Sequence, residues 1–227
     1  MNSSSKKIYF ASDFHLGVPT YQESLKREKV LVAWLNEIKD HAEEIYLMGD
    51  VFDFWFEYSK VIPKGYVRLL GKLAEITDAG IPVYLFKGNH DIWAFDYLSK
   101  ELNIRIHRKP IIKEIQGKTF YLAHGDGLGP GDYTYKILKR VFESKLCQWF
   151  FKWLHPDIGT RLGLLWSKQS RTTKTNNKNY QKTNIPLEDE ILFKYSLEKH
   201  QELPDINYFL FGHQHIRMLL YVSWAIL

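Results

Sequence analysis

Apolar residues in this chain come in short runs that stop abruptly at small or polar residues. Ile8-Tyr9-Phe10-Ala11, Ile45-Tyr46-Leu47-Met48 and Val83-Tyr84-Leu85-Phe86 each read as a buried strand. Between them, apolar positions recur at helical spacing. Leu31, Trp34, Leu35 and Ile38 mark a helix over 23–39, and Val67, Leu70, Leu73 and Ile76 mark one over 65–79. Ala79-Gly80-Ile81-Pro82 stops the second. A short helix over 92–101 follows, then strands near 104–107, 111–115 and 119–123, the last two joined by the turn Gln116-Gly117-Lys118.

The texture changes at Leu128. Residues 133–170 read as two or three helices broken at Pro156 and Gly159, and 171–185 as a polar, mobile loop. A helix opens near Pro186, a residue suited to a first helical position, and a strand over 206–211 follows. Strand–helix–strand alternation followed by paired strands predicts an α/β layered fold with a mixed sheet.

Composition narrows the picture only slightly. At 227 residues with 45% hydrophobic and 25% charged side chains, the chain suits one domain or one domain with an insertion. A formal charge of +5 favours anionic partners such as nucleotides, phosphates or an anionic membrane surface. The single cysteine, Cys147, excludes an intrachain disulfide and suits a reducing compartment. No run of 18 apolar residues is present, and the short apolar stretch after the polar N-terminus is no signal sequence, so neither a membrane span nor secretion is expected.

The chemistry lies where the apolar runs end. Asp13-x-His15, Asp50, Asn89, His124 and His213-x-His215 each follow a strand-like run. Carboxylate oxygen, amide oxygen and imidazole nitrogen together suit Mn²⁺, Fe²⁺ or Zn²⁺ better than Ca²⁺. Side chains two residues apart on extended backbone point the same way, so Asp-x-His or His-x-His serves one ion or two adjacent ions. Two ions about 4 Å apart need a shared ligand, and a carboxylate provides one. Singly, each element is an ordinary turn or loop. Core packing does not ask for all five in order.

Asp13-x-His15, Gly49-Asp50-x-x-Asp53, Gly88-Asn89-His90-Asp91, His124-Gly125-Asp126 and Gly212-His213-x-His215 resemble the calcineurin-like metallophosphoesterase signature. The resemblance implies a four-layer α/β/β/α sandwich with a helical lid insertion at about 128–185, and a centre of two divalent ions, often Mn²⁺. By that resemblance Asp13, His15, Asp50 and His215 would hold one ion. Asp50, Asn89, His124 and His213 would hold the other, with Asp50 as the bridge. A metal-bridged hydroxide would attack phosphorus in line. His90 would be the general acid or the donor to a phosphoryl oxygen, steered by Asp53 or Asp91.

Within that family the chain resembles the UDP-2,3-diacylglucosamine diphosphatase branch of the lipid A pathway. The carriers are Asp13-Phe14-His15-Leu16-Gly17, Gly49-Asp50-Val51-Phe52-Asp53-Phe54-Trp55, the helical stretch after His124-Gly125-Asp126, and Asp132 eight residues past His124. His90 stands where many members of the branch carry Arg. The branch implies hydrolysis at the α-phosphorus, giving UMP and 2,3-diacylglucosamine 1-phosphate, with Asn89, Asp132, Ser167, Arg171 and His213 as substrate contacts.

Leu146, Trp149, Phe150, Trp153 and Leu154 form an i, i+3, i+4, i+7, i+8 stripe that Ile158, Leu162 and Leu165 continue. It either covers the main core or forms a lid over an apolar substrate. From Ile158 to Leu187 the chain carries six Lys or Arg and no acid, which beside an apolar helix suits an anionic membrane surface. The expected location is therefore cytoplasmic, peripheral on the inner face of the cytoplasmic membrane. Because the Trp stripe is separate from most of the basic run, no nucleic-acid partner is expected. The alternatives are a metallophosphoesterase for nucleotides, phosphoproteins or nucleic acid, or an inactive scaffold of the same fold. The stretch 218–227 carries no charge and no alternation, so the C-terminal strands are expected to be truncated or altered, with a sheet edge left unpaired.

Overall fold

The computed structural model describes residues 6–176 and 190–214, the side chains of 169–176 excepted. Four strands, β1 (Lys7–Ala11), β2 (Ala42–Leu47), β3 (Val83–Phe86) and β4 (Arg105–His107), pair in that order as a wholly parallel sheet. Their crossovers are α1 (Tyr21–Ile38), α2 (Val67–Asp78) and α3 (Tyr97–Leu102). A second sheet joins β5 (Ile111–Ile115) and β6 (Lys118–Ala123) as an antiparallel pair, with β7 (Tyr208–Phe211) parallel to β6. The mixed character expected of one sheet is thus confined to the smaller of two. Between β6 and β7 lie α4 (Tyr133–Glu143), α5 (Lys145–Lys152), α6 (Pro156–Asn176) and α7 (Ile191–Glu202).

Period-two alternation builds the layers. Ile45 and Leu47 point to the cluster formed with Leu31, Leu35, Leu69 and Leu73 of α1 and α2. Tyr46 and Met48 point the other way, into the cluster with Tyr84, Phe86 and Leu122 that glues the two sheets together. The far face of the second sheet buries Tyr121 and Ala123 against Tyr195 of α7. Helices, sheet, sheet and helix follow in that order, the α/β/β/α sandwich the motifs implied.

Helix boundaries differ from the expected ones for physical reasons. Residues 92–96 are not helical, because Ile92 and Trp93 pack into a satellite core with Phe54 and Phe56. Helix α3 starts only at Tyr97, where Glu57 accepts the N–H groups of Asp96 and Tyr97 at 2.7 and 3.0 Å. Gly159 does not break a helix, since α6 runs through it from Pro156 to Asn176. A Cβ on Gly159 would stand 2.0 Å from the Tyr58 hydroxyl, so glycine serves a close approach there. The loop expected at 171–185 begins as helix through Asn176, and its remainder, with Pro186, lies outside the described residues. Tail residues 218–227 also lie outside them.

The α4–α6 segment meets the body through Phe142, Phe151 and Leu164, which pack on Phe54, Phe56, Ile92 and Trp93. Trp93 adds a hydrogen bond from its indole N–H to the Phe142 carbonyl at 2.8 Å. The predicted apolar stripe is on the opposite side. Leu146, Trp149, Phe150, Trp153, Ile158, Leu162 and Leu165 are all exposed, Trp153 by 74%, so the stripe does not cover the main core. No described helix is long and apolar enough to cross a membrane.

Candidate metal centre

Each of the expected ligands that the structure describes leaves the C-terminal end of a strand. Asp13 and His15 follow β1, Asp50 follows β2, Asn89 follows β3, His124 follows β6 and His213 follows β7. Four of them, Asp13, His15, Asp50 and His213, hold positive φ of 60, 44, 51 and 69°. Such backbone costs of the order of 1–3 kcal/mol per residue and persists only where neighbours over-determine it. Here the loops are zipped together. The Asp13 N–H bonds Gly49 O at 3.0 Å, the His15 N–H bonds Asp50 O at 2.9 Å, and the Gly212 N–H bonds His124 O at 2.9 Å.

Two glycines make room for this crowding. A Cβ on Gly49, whose φ is +102°, would lie 2.3 Å from His124 Nδ1, and one on Gly88 would lie 2.1 Å from Asp50 Oδ1. Gly49→Ala therefore combines left-handed strain with a collision at a buried imidazole. It is expected to cost more than about 2 kcal/mol of stability, measured by urea unfolding, and near-wild-type stability would contradict the packing described.

The polar atoms converge. His15 Nε2 lies 4.0 Å from Asp13 Oδ1 and 3.8 Å from Asp50 Oδ2, and His124 Nε2 lies 3.3 Å from the same Asp50 oxygen. Asp13, His15 and Asp50 form one group with ligand atoms within 4.8 Å of one another, and Asp50, His124 and His213 form another. Asp50 belongs to both, the position a bridging carboxylate takes. The site fits divalent ions on its own chemistry. Asn89 Oδ1 is buried with no hydrogen-bond partner, and His124 Nε2 is buried without an aligned one. Right-angled ligands at about 2.1 Å from an ion stand about 3 Å apart, close to the His124–Asp50 spacing.

Second partners fix the ligands' orientation, as they do at metal sites generally. His124 Nδ1 faces the Met48 carbonyl at 2.8 Å, which places its proton there and turns Nε2 to Asp50. His15 Nδ1 lies 3.3 Å from Asp53 Oδ1, close enough for an ion pair but not aligned as a hydrogen bond. Burial pushes the Asp50 carboxyl up, but the charges of His124, His90 and His15 outweigh it and hold it far below the usual carboxylate range. Burial pushes His124 down, yet Asp50 overrides it and raises the imidazole to about 10. An ion that takes His124 Nε2 must displace that proton.

His90 stands beside this centre, its ring 4.7 Å from that of His15 and edge-on to it. Its Nδ1 lies 3.0 Å from the Asp53 carbonyl and 3.7 Å from Asp53 Oδ1. Asp91 is turned elsewhere. Its two oxygens accept the N–H groups of Val51 at 2.9 Å and Gly88 at 2.7 Å, tying together the loops after β2 and β3. Burial, then the charge of Asp50, raises its carboxyl to about 6. Of the two carboxylates expected to steer His90, Asp53 is the one in reach.

The remaining expected residues are scattered. Ser167 of α6 is 3% exposed and donates to Asp53 Oδ2 at 2.6 Å. Asp132 sits exposed at the start of α4 in left-handed backbone. Arg171 lies on α6 with its side chain outside the described residues, and His215 lies outside them altogether. Three buried carboxylates have no role in the sequence pattern: Glu28 and Glu57, which accept backbone N–H groups at helix starts, and Asp126. Asp126 is 5% exposed, receives the Lys139 ammonium at 2.8 Å and bonds Tyr135, clamping the loop after β6 to α4. Its place in His124-Gly125-Asp126 was the available signal, while its partners on α4 had none.

The profile of the calcineurin-like phosphoesterase family matches residues 6–217. A UDP-2,3-diacylglucosamine hydrolase of Porphyromonas gingivalis (strain ATCC BAA-308 / W83) is 37% identical over 224 residues, covering 92% of this chain and 83% of its own length. Proteins of the same name from Histophilus somni (strain 129Pt) and Vibrio vulnificus (strain CMCP6) are 26% identical over 213 residues and 24% over 206. The first match covers 92% of this chain and 84% of the relative, the second 88% and 82%.

Proposed function

This chain belongs to the calcineurin-like phosphoesterase family, and from that premise we propose that it hydrolyses the pyrophosphate of UDP-2,3-diacylglucosamine to UMP and 2,3-diacylglucosamine 1-phosphate. Asp13, His15, Asp50 and His215 would hold one divalent ion, and Asp50, Asn89, His124 and His213 the second, with Mn²⁺ favoured over Fe²⁺ or Zn²⁺. The ions, when bound, supply Lewis acidity to the phosphoryl oxygens and lower the pKa of water. The protein's own part is positional. Asp53 lies beside His15 Nδ1, the Asp53 carbonyl fixes the proton on His90 Nδ1, and His90 in its protonated form would donate from Nε2 to a phosphoryl oxygen.

The observation that carries the lipid-linked substrate is a cavity of about 590 Å³ between the body and α6. Tyr21, Leu25, Phe54, Tyr58 and Ile62 wall it from the body and Leu164 from α6, with the cations Lys64 and Arg161 also in its lining. Leu164 is three residues from Ser167, about 4.5 Å along the helix, so the cavity begins close to Asp53. Glu28 and Asp157 in the same lining balance the two cations, so it is the apolar walls that suit an acyl chain. In this reading 128–185 is a lid.

The exposed stripe of Trp149, Phe150 and Trp153 beside Lys145 and Lys152 suits the anionic inner face of the cytoplasmic membrane. Trp149→Ser with Trp153→Ser is expected to weaken co-sedimentation with phosphatidylglycerol vesicles by roughly tenfold, on the scale of about 1 kcal/mol or less for each lost aromatic contact. Unchanged co-sedimentation would remove the stripe from any membrane role.

The substrate assignment is tested with Mn²⁺-supplied protein, by comparing UMP release from UDP-2,3-diacylglucosamine with turnover of a bis-aryl phosphodiester. Release of UMP is expected. Turnover of the generic ester alone would leave a phosphoesterase and remove the lipid substrate.

A further inference from the structure

The two peptide units that flank the His15 Cα are each held on both edges, from two different elements. The loop after β2 takes the N–H edge, with the His15 N–H donating to Asp50 O at 2.9 Å and the Leu16 N–H to Val51 O at 3.0 Å. The carbonyl edge goes to α1. Arg27 Nε donates to Phe14 O at 3.1 Å, Arg27 Nη2 donates to His15 O at 2.9 Å, and the same Nη2 bonds Val18 O. Phe14 C=O and His15 N–H belong to one unit, and His15 C=O and Leu16 N–H to the next. Both units are therefore clamped between α1 and the Asp50 loop.

The clamp falls on strained backbone. His15 has a φ of 44°, which is uncommon for a residue other than glycine. Its backbone torsions set the direction of its Cβ, and hence where Nε2 can reach. Helix α1 is a fixed platform for such a clamp. Its Leu31 and Leu35 are buried in the main core, and Ser24 Oγ accepts the Gly17 N–H at 2.7 Å. Three carbonyls at one side chain suit arginine, whose donors sit in a planar fork, whereas lysine offers a single nitrogen. The arginine charge works in the opposite sense. A cation bonded to the His15 carbonyl repels a divalent ion at the His15 imidazole.

We propose that Arg27 is a positioning residue for the ion expected at Asp13 and His15, acting through the backbone that presents His15. The proposal rests on the two-ion reading and deepens it. It divides the centre into a half supported by α1 and a half that is not, since Asn89, His124 and His213 lie outside the clamp. Geometry and charge then predict opposite effects of removing Arg27. Loss of the clamp weakens one ion, whereas loss of the charge alone would tighten it.

The test is calorimetric titration of Mn²⁺ into the chelator-stripped full chain, with Arg27→Ala and Arg27→Lys beside wild type. Loss of a group that orients a metal ligand lowers affinity by about 10–100-fold. Arg27→Ala is expected to weaken one of the two ions in that range and to leave the other unchanged. Arg27→Lys, which keeps the charge but not the fork, should fall between Ala and wild type. The Mn²⁺ concentration for half-maximal turnover of a bis-aryl phosphodiester should rise by the same factor in Arg27→Ala, with KM near wild type. Adding Arg27→Ala to His15→Ala should change the remaining ion little, because the two substitutions act on one ligand. Ile76→Val, a core change on α2 away from the clamp, should leave both ions as in wild type. Unchanged or tighter binding in Arg27→Ala, equal weakening of both ions, or the same loss in Ile76→Val would overturn the proposal. Wild-type protein that takes up no Mn²⁺ would overturn the metal reading and this proposal together, whereas failure of the proposal alone shows only in the variants.

Discussion

Asp50→Ala is expected to lose both metal ions and to lower turnover by at least about 10²-fold, the scale of removing one electrostatic stabiliser of the transition state. The reason is its double membership. Asp50 Oδ2 lies 3.8 Å from His15 Nε2 and 3.3 Å from His124 Nε2, so a single carboxylate reaches toward both ligand groups. Its other oxygen accepts the His90 N–H at 2.9 Å, which also fixes the start of the His90 loop. Removal leaves His15 and His124 facing one another across an empty position, with no anion to draw cations in. Metal content by elemental analysis, read beside turnover, separates the outcomes. Two ions retained with normal turnover would show that Asp50 is no bridge.

His90→Ala is expected to lower kcat by about 10²-fold with a modest change in KM. The leaving group in the proposed reaction is itself a phosphate, which departs without needing a proton. A donor to a phosphoryl oxygen is then the more useful role, and the loss should be similar on the pyrophosphate and on an aryl ester. A much larger loss on esters with poor leaving groups would instead mark a general acid. Burial lowers the His90 imidazole, and Asp50 opposes that only in part. The charged form is therefore lost as pH rises through that lowered value. The wild-type kcat/KM profile should fall along that limb, and His90→Ala should lack it.

Much of the site was legible because its ligands sit where strands end. The apolar run Ile45–Met48 ends at Gly49, and the next residue is Asp50, a carboxylate placed at the strand's C-terminal end. Five such endings in order limit the chemistry by themselves. The alternation that sends Ile45 and Leu47 to the helices and Tyr46 and Met48 to the second sheet was equally local in origin. What stayed hidden depends on contacts between residues far apart in sequence. Helix α2 has no side-chain cap of its own, and Glu28, 40 residues earlier, accepts the Arg68 N–H at 2.9 Å and the Leu69 N–H at 3.1 Å. The bond from Ser167 to Asp53 spans 114 residues. Gly159 looked like a helix breaker because its packing partner, Tyr58, lies on another element. The apolar stripe gave the right helix face but not its direction, since periodicity marks a face without saying what covers it.

The central claim is that this chain builds a two-ion centre on Asp50 for phosphoester hydrolysis. It is tested most directly by stripping the protein with chelator and titrating Mn²⁺ back while following UMP release from UDP-2,3-diacylglucosamine. The account predicts no release from the stripped protein and a plateau at two equivalents. Full release without metal, or a plateau at one equivalent, would contradict it.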